Sequence, residues 1–106
     1  MSGYKVKKYQ EHMAKKNNVE IKSSNKKNKK VDVFDKQGNL LASIGGVYPN
    51  GKFYNDFATY IEDIGLVKAK LKRNAYLKRH SKDPKEKIVK GKKVKTPSYW
   101  ADKILW

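Results

Sequence analysis

The stretch 31-VDVFDKQGNLLASI-44 reads as two strands joined by a turn. Val31 and Val33 alternate with Asp32, which makes one face of a strand apolar. In 36-KQGN-39, Gly38 can take a positive φ without a Cβ clash. Leu40, Ala42 and Ile44 then repeat the alternation on the way back. The segment is expected to be a β-hairpin ended by Gly45-Gly46, with a second turn in 48-YPNGK-52. The next run, 53-FYNDFATYI-61, is open to two readings. Its aromatics favour a third strand, whereas Asn55 or Asp56 could cap a helix running to Ile64.

Downstream of the Gly65 breaker, residues 66–80 read as a helix. Val67, Leu71 and Ala75 fall on one stripe with Leu77 at its edge, and that stripe is expected to hold the helix on the hairpin. Lys68, Lys72, Arg73, Tyr76, Arg79 and His80 occupy the other side. Lys70 and Lys78 fall among the apolar positions, where their stems can lie along the core rim. Asp83-Pro84 stops the helix, and 84-PKEKIVKGKKVK-95 reads as a basic loop around Ile88 and Val89. In 96-TPSYWADKILW-106, Thr96 is placed to cap a short helix with Pro97 at its first position. Trp100 and Ile104 lie one turn apart, with Trp106 on a neighbouring stripe, so these three are expected to anchor packing or assembly.

Upstream, residues 1–30 carry ten Lys and two Glu. The run 22-KSSNKKNKK-30 holds too little apolar surface to offset the entropy of ordering it. An extended basic tail is therefore expected over 1–30, with 4–16 able to form a helix on a partner, and a folded unit over 31–106. The expected class is α+β: a hairpin or three-stranded antiparallel sheet packed with a basic helix and a short C-terminal helix.

The net charge of +16 is segregated. Residues 1–30 carry +8, residues 31–66 carry −3 and residues 67–106 carry +11. Two basic blocks around a mildly acidic centre suit a polyanion: nucleic acid, an acidic protein face or an anionic membrane. The 24 Lys against 2 Arg favour diffuse phosphate contact over bidentate reading of bases. The candidate polyanion-binding residues are Lys68, Lys72, Arg73, Tyr76, Arg79, Lys92, Lys93 and Lys95.

Catalytic chemistry has no set of residues to carry it. His12 and His80 lie far apart, Glu62 and Asp63 are merely adjacent, and Asp32 and Asp35 read as solvent-facing strand residues. Gly45-Gly46 is followed by no G-K-[ST], so it is no phosphate loop. With no Cys and no metal-ligand spacing, neither a metal nor a cofactor is expected, and no small-molecule substrate. His80 is expected to meet the last carbonyls of the basic helix. The longest apolar stretch is too short to span a bilayer, and no hydrophobic leader stands at the start, so an intracellular protein is expected.

Taken in order, 32-DVFDKQGNLLASI-44, 76-YLKRHSKD-83 and 95-KTPSYWADKILW-106 resemble a small basic domain family of nucleocytoplasmic large DNA viruses, of the phycodnavirus and mimivirus type. Tyr76, Arg79 and His80 match that family's "Y-x-x-R-H", and Trp100, Leu105 and Trp106 match its terminal aromatic motif. The chain departs from it at 62-EDIGLVKAK-70, where the family has an acidic-aromatic stretch, and at Asp102 and Lys103. The resemblance implies a non-enzymatic virion structural protein, a minor capsid or cement-type component. It would be found in the particle and in host cytoplasm or nucleus, with capsid proteins and DNA or RNA as partners. A sequence-independent nucleic-acid-binding or condensing protein is the other reading, and it accounts for the charge most directly.

Overall fold

The computed structural model describes residues 4–106. The protein is α+β. A first helix, α1 (Lys8–Lys16), leads into an antiparallel sheet of β1 (Glu20–Ser23), β2 (Val31–Phe34) and β3 (Leu40–Ile44) in that spatial order. Then come α2 (Phe57–Ile64), α3 (Leu66–Arg79), the ribbon of β4 (Glu86–Val89) and β5 (Lys92–Lys95), and α4 (Pro97–Trp100). Ala101–Leu105 continues α4 as a wider π turn, in which the Trp106 N–H donates to Ala101 O five residues back.

The hairpin forms as its pattern dictates. Val31, Val33, Ala42 and Ile44 are buried, and Asp35 closes the turn by accepting from the N–H groups of Gln37 and Asn39. These bonds, led by those from Asn39, hold the Asp35 carboxyl below the usual carboxylate range. Phe34 faces Leu40 while Val33 faces Ala42, so Leu41 is an extra residue in β3. That bulge turns Leu40 out of the core, against the expected alternation. Asp32 accepts from Ser43 Oγ at 2.6 Å across the pair instead of standing free in solvent.

The expected tail is part of the fold. Residues 1–3 lie outside the described residues, but α1 and β1 follow at once. β1 pairs with β2 from Glu20–Phe34 to Ser23–Val31. Ala14 and Val19 join Val31, Val33, Ala42, Ile44, Trp100, Ile104 and Leu105 in one core. The Cα radius of gyration, 13.8 Å, is close to the ~13 Å of a folded chain this long. Composition failed here because burial is set by a few positions: Ala14 and Val19 enter the core, and Tyr4, Val6, Met13 and Ile21 pack against it.

A buried polar network fastens the same segment to α2. The Lys30 ammonium lies 2.9 Å from Asp56 Oδ2, with the two side chains 3% and 1% exposed. The same carboxylate oxygen accepts from Tyr4 OH at 2.6 Å and from Gln10 Nε2 at 3.0 Å. Asp56 Oδ1 accepts the Thr59 N–H at 2.9 Å, making Asp56 the cap of α2 and settling 57–64 as helix, while Phe53 upstream bridges Val47 in an antiparallel contact. Lys30 also donates to the Tyr54 carbonyl. Burial would raise the Asp56 carboxyl, but the Lys30 charge and the bonds from Tyr4, Lys30 and Thr59 outweigh it and hold the group below its usual range. Burial lowers the Lys30 ammonium, with Asp56 opposing. Burial also raises the Tyr4 hydroxyl, reinforced by Asp56.

Candidate nucleic-acid interface

The amphipathic reading of α3 is reversed. Its buried position is Ala69; Val67 and Leu71 are 78% and 66% exposed. Arg73 turns inward, its guanidinium 4.5 Å from the Phe57 ring centroid, and Tyr76 lies against Trp106. The line Ala69–Arg73–Tyr76–His80 is an i, i+4, i+7, i+11 stripe, so the periodicity of the buried face is helical but its chemistry is aromatic and cationic. Arg73 is legible as a packing residue only once Phe57 is known to lie opposite. Of the polyanion candidates on this helix, Lys68, Lys72 and Arg79 remain exposed, joined by Lys70 and Lys78. Among the described residues, none of the six α3 cations has a carboxylate at ion-pair distance.

Residues 84–95 form a ribbon and not a loop. β4 and β5 pair from Glu86–Lys95 to Val89–Lys92, around a two-residue turn in which Lys90 and Gly91 take φ of 51° and 80°. Two successive positive φ angles match the right-handed twist of a hairpin, and the "KG" pair between short apolar runs was the available signal. All eight strand residues are exposed. Lys92 and Lys93 project without a carboxylate partner among the described residues, as do Lys87 and Lys90. Lys95 differs: it pairs with Glu86 at 3.1 Å and lies 4.8 Å from the Tyr99 ring centroid. Lys85 is a strut at the ribbon's base, 2.8 Å from Asp102 Oδ2 and donating to Ser98 Oγ and to the His80 carbonyl.

The C-terminal anchors pack on the chain's own fold. Thr96 caps α4, with Pro97 at the first helical position. α4 lies on β3 and the π turn on α1. Trp100 and Ile104 are 8% and 0% exposed. Trp106 stacks on Tyr76 with ring centroids 4.3 Å apart and planes 10° apart. Burial, with the Asp102 and Asp83 charges adding to it, pushes the Tyr76 hydroxyl up to about 12. His80 ends α3, yet its ring does not meet the last carbonyls: Nδ1 pairs with Asp83 Oδ2 at 2.6 Å, a bond that lowers the Asp83 carboxyl.

Between the end of α3, the start of α4 and the 45–56 loop opens a cleft of about 590 Å³. Tyr48, Tyr54, Tyr60, Tyr76 and Trp106 line it, with Lys29 and Arg79. The ribbon springs from the chain between two other lining residues, Asp83 and Pro97. Sequence reasoning missed the cleft because its walls come from four separated segments. Among the described residues, no group of three or more His, Asp or Glu could hold a metal ion, and no helix is long and apolar enough to cross a membrane.

The molecule is thus an α+β protein with a basic helix that meets no carboxylate among the described residues, an exposed basic ribbon and an aromatic cleft. No protein family, curated protein or solved structure matches the chain.

Proposed function

We propose that the protein is a non-enzymatic, sequence-independent nucleic-acid-binding protein. The observation that carries this reading is the charge of α3 and of Lys87, Lys90, Lys92 and Lys93 in the β4–β5 ribbon, which meets no carboxylate among the described residues. A carboxylate-poor lysine surface gains by releasing counterions from phosphates, and it does so without choosing a sequence. A helix and a two-stranded ribbon are also the two shapes that a duplex major groove admits. The exposed lysines supply point charges, and one of the only two arginines is committed to the Phe57 ring, so base reading has little to work with.

A second reading rests on a different feature. The exposed stripe of Val67 and Leu71 suits a protein neighbour. A minor capsid or cement-type role in a virion, the setting that the resemblance implies, would use that stripe against another shell protein and the lysines against packaged genome.

The test is duplex binding followed by anisotropy as a function of salt. Replacing Lys68, Lys70, Lys72 and Lys78 together by Gln, all exposed and without a carboxylate partner among the described residues, should flatten the slope of log K against log salt by roughly 3 to 4. An unchanged slope, or strong preference for one sequence, refutes the reading.

A further inference from the structure

The aromatic cleft has more structure than diffuse phosphate contact requires. One wall is the 45–56 loop, which presents Tyr48 and Tyr54, 48% and 45% exposed and in edge-to-face contact at 4.3 Å. The other wall is the stacked pair of Tyr76 and Trp106, with Tyr60 5.9 Å from Trp106. Rings on both walls are the arrangement on which bases stack, since every base has a π face. Cations stand in the lining: Arg79 is exposed and Lys29 half-buried, neither with an ion-pair partner among the described residues. Asn55, exposed in the same lining, has a side-chain amide with no hydrogen-bond partner among the described residues and can both donate to and accept from a base edge. The volume lies within the ~300–1,000 Å³ range of small-ligand sites, enough to admit a base.

The cleft also adjoins the basic surface. Tyr76, Arg79 and His80 belong to the last turn of α3 and its cap, so a strand following the α3 lysines arrives at the cleft mouth. A duplex keeps its bases stacked inside and cannot enter; a single strand can turn one out.

We infer that this cleft takes an unstacked base of single-stranded nucleic acid, held between the Tyr54 side and the Tyr76–Trp106 side with Arg79 on its phosphate. The inference rests on the nucleic-acid reading and narrows it from polyanions in general to strands with accessible bases.

The probes are a fluorescein-labelled dT 12-mer, the 12-base-pair dA·dT duplex, and thymidine monophosphate as competitor. The intact protein should bind the 12-mer more tightly than the duplex at equal salt. Tyr54→Ala, at an exposed position whose backbone contact to Lys30 survives, should weaken 12-mer binding by about tenfold and leave duplex binding within about twofold. In Trp100→Phe protein, Trp106 is the reporter, and its emission should be quenched by the 12-mer and not by the duplex. Tyr48→Ala serves as a second exposed wall variant, expected to act in the same direction. Equal losses on both probes, no loss on either, or an unresponsive Trp106 overturns the cleft assignment while the nucleic-acid reading stands. Thymidine monophosphate displacing the 12-mer at equal concentration also overturns it, by assigning the cleft to free nucleotides. Failure to bind both 12-mer and duplex overturns both proposals.

Discussion

Asp56→Ala should be among the most damaging single substitutions in this protein. The carboxylate is 1% exposed and accepts hydrogen bonds from Tyr4, Gln10, Lys30 and Thr59. Its removal leaves the Lys30 ammonium buried without its counter-charge, a loss of about 3–5 kcal/mol in comparable pairs. It also removes the cap of α2, worth about 1 kcal/mol. The sum, ~4–6 kcal/mol, is most or all of the stability of a small domain near the bottom of the ~5–15 kcal/mol range. The physical claim is that the damage comes from the orphaned charge, so removing both charges should be milder. Lys30→Met with Asp56→Ser keeps a hydroxyl cap and leaves Tyr4 and Gln10 bonded to each other at 2.7 Å, and it should cost only about 2 kcal/mol. Urea unfolding read by Trp100 emission and far-UV circular dichroism measures both variants. A cost below about 1 kcal/mol for Asp56→Ala, or a double variant no better than the single one, refutes the reasoning. Acid supplies an independent check. The folded Asp56 carboxyl lies below the usual 3.8, so its stabilisation is complete above the unfolded value and is lost as pH falls through the folded one. Stability measured below pH ~4 should therefore fall less steeply in the double variant than in the natural protein.

Deleting residues 1–23 should abolish cooperative unfolding, because it removes β1, Ala14, Val19 and the Tyr4 and Gln10 partners of Asp56; a truncated chain with a sharp urea transition would count against the fold. Gly45→Ala should cost about 2 kcal/mol or more, since φ is +105° and a Cβ would meet the Lys30 backbone N at 2.9 Å. Gly51→Ala, at φ +86° with nothing within 4 Å, should cost only about 1 kcal/mol in the same denaturant series. Trp100→Ala should cost about 3–5 kcal/mol and Trp106→Ala distinctly less, because Trp100 sits in the core while Trp106 is half-buried; equal midpoint shifts would show the C-terminal turn to be placed wrongly.

Much of the local structure was determined by the sequence itself. The β2–β3 hairpin, the Gly65 break, the extent of α3 and the Thr96–Pro97 start of α4 follow from side-chain periodicity, positive-φ residues and caps, which act within a few residues. The charge asymmetry and the lack of cysteine were likewise readable from residue types alone. Tertiary structure decided which chemically identical residues do which work. Lys30 is a buried strut and Lys85 a half-buried one, Lys68 and Lys93 face solvent, and no local pattern separates them, because a lysine leaves solvent only when a distant carboxylate such as Asp56 or Asp102 arrives to meet it. The face of α3 was settled the same way. The competition between a Val67–Leu71 stripe and an Ala69–Arg73–Tyr76 stripe turned on Phe57 and Trp106, aromatic surfaces 16 and 30 residues from Arg73 and Tyr76 in the chain, which reward a flat guanidinium and a stacking phenol more than they do branched aliphatics. Residues 4–30 were misjudged for the same reason: their few apolar side chains matter only against a sheet whose other strands lie further along the chain.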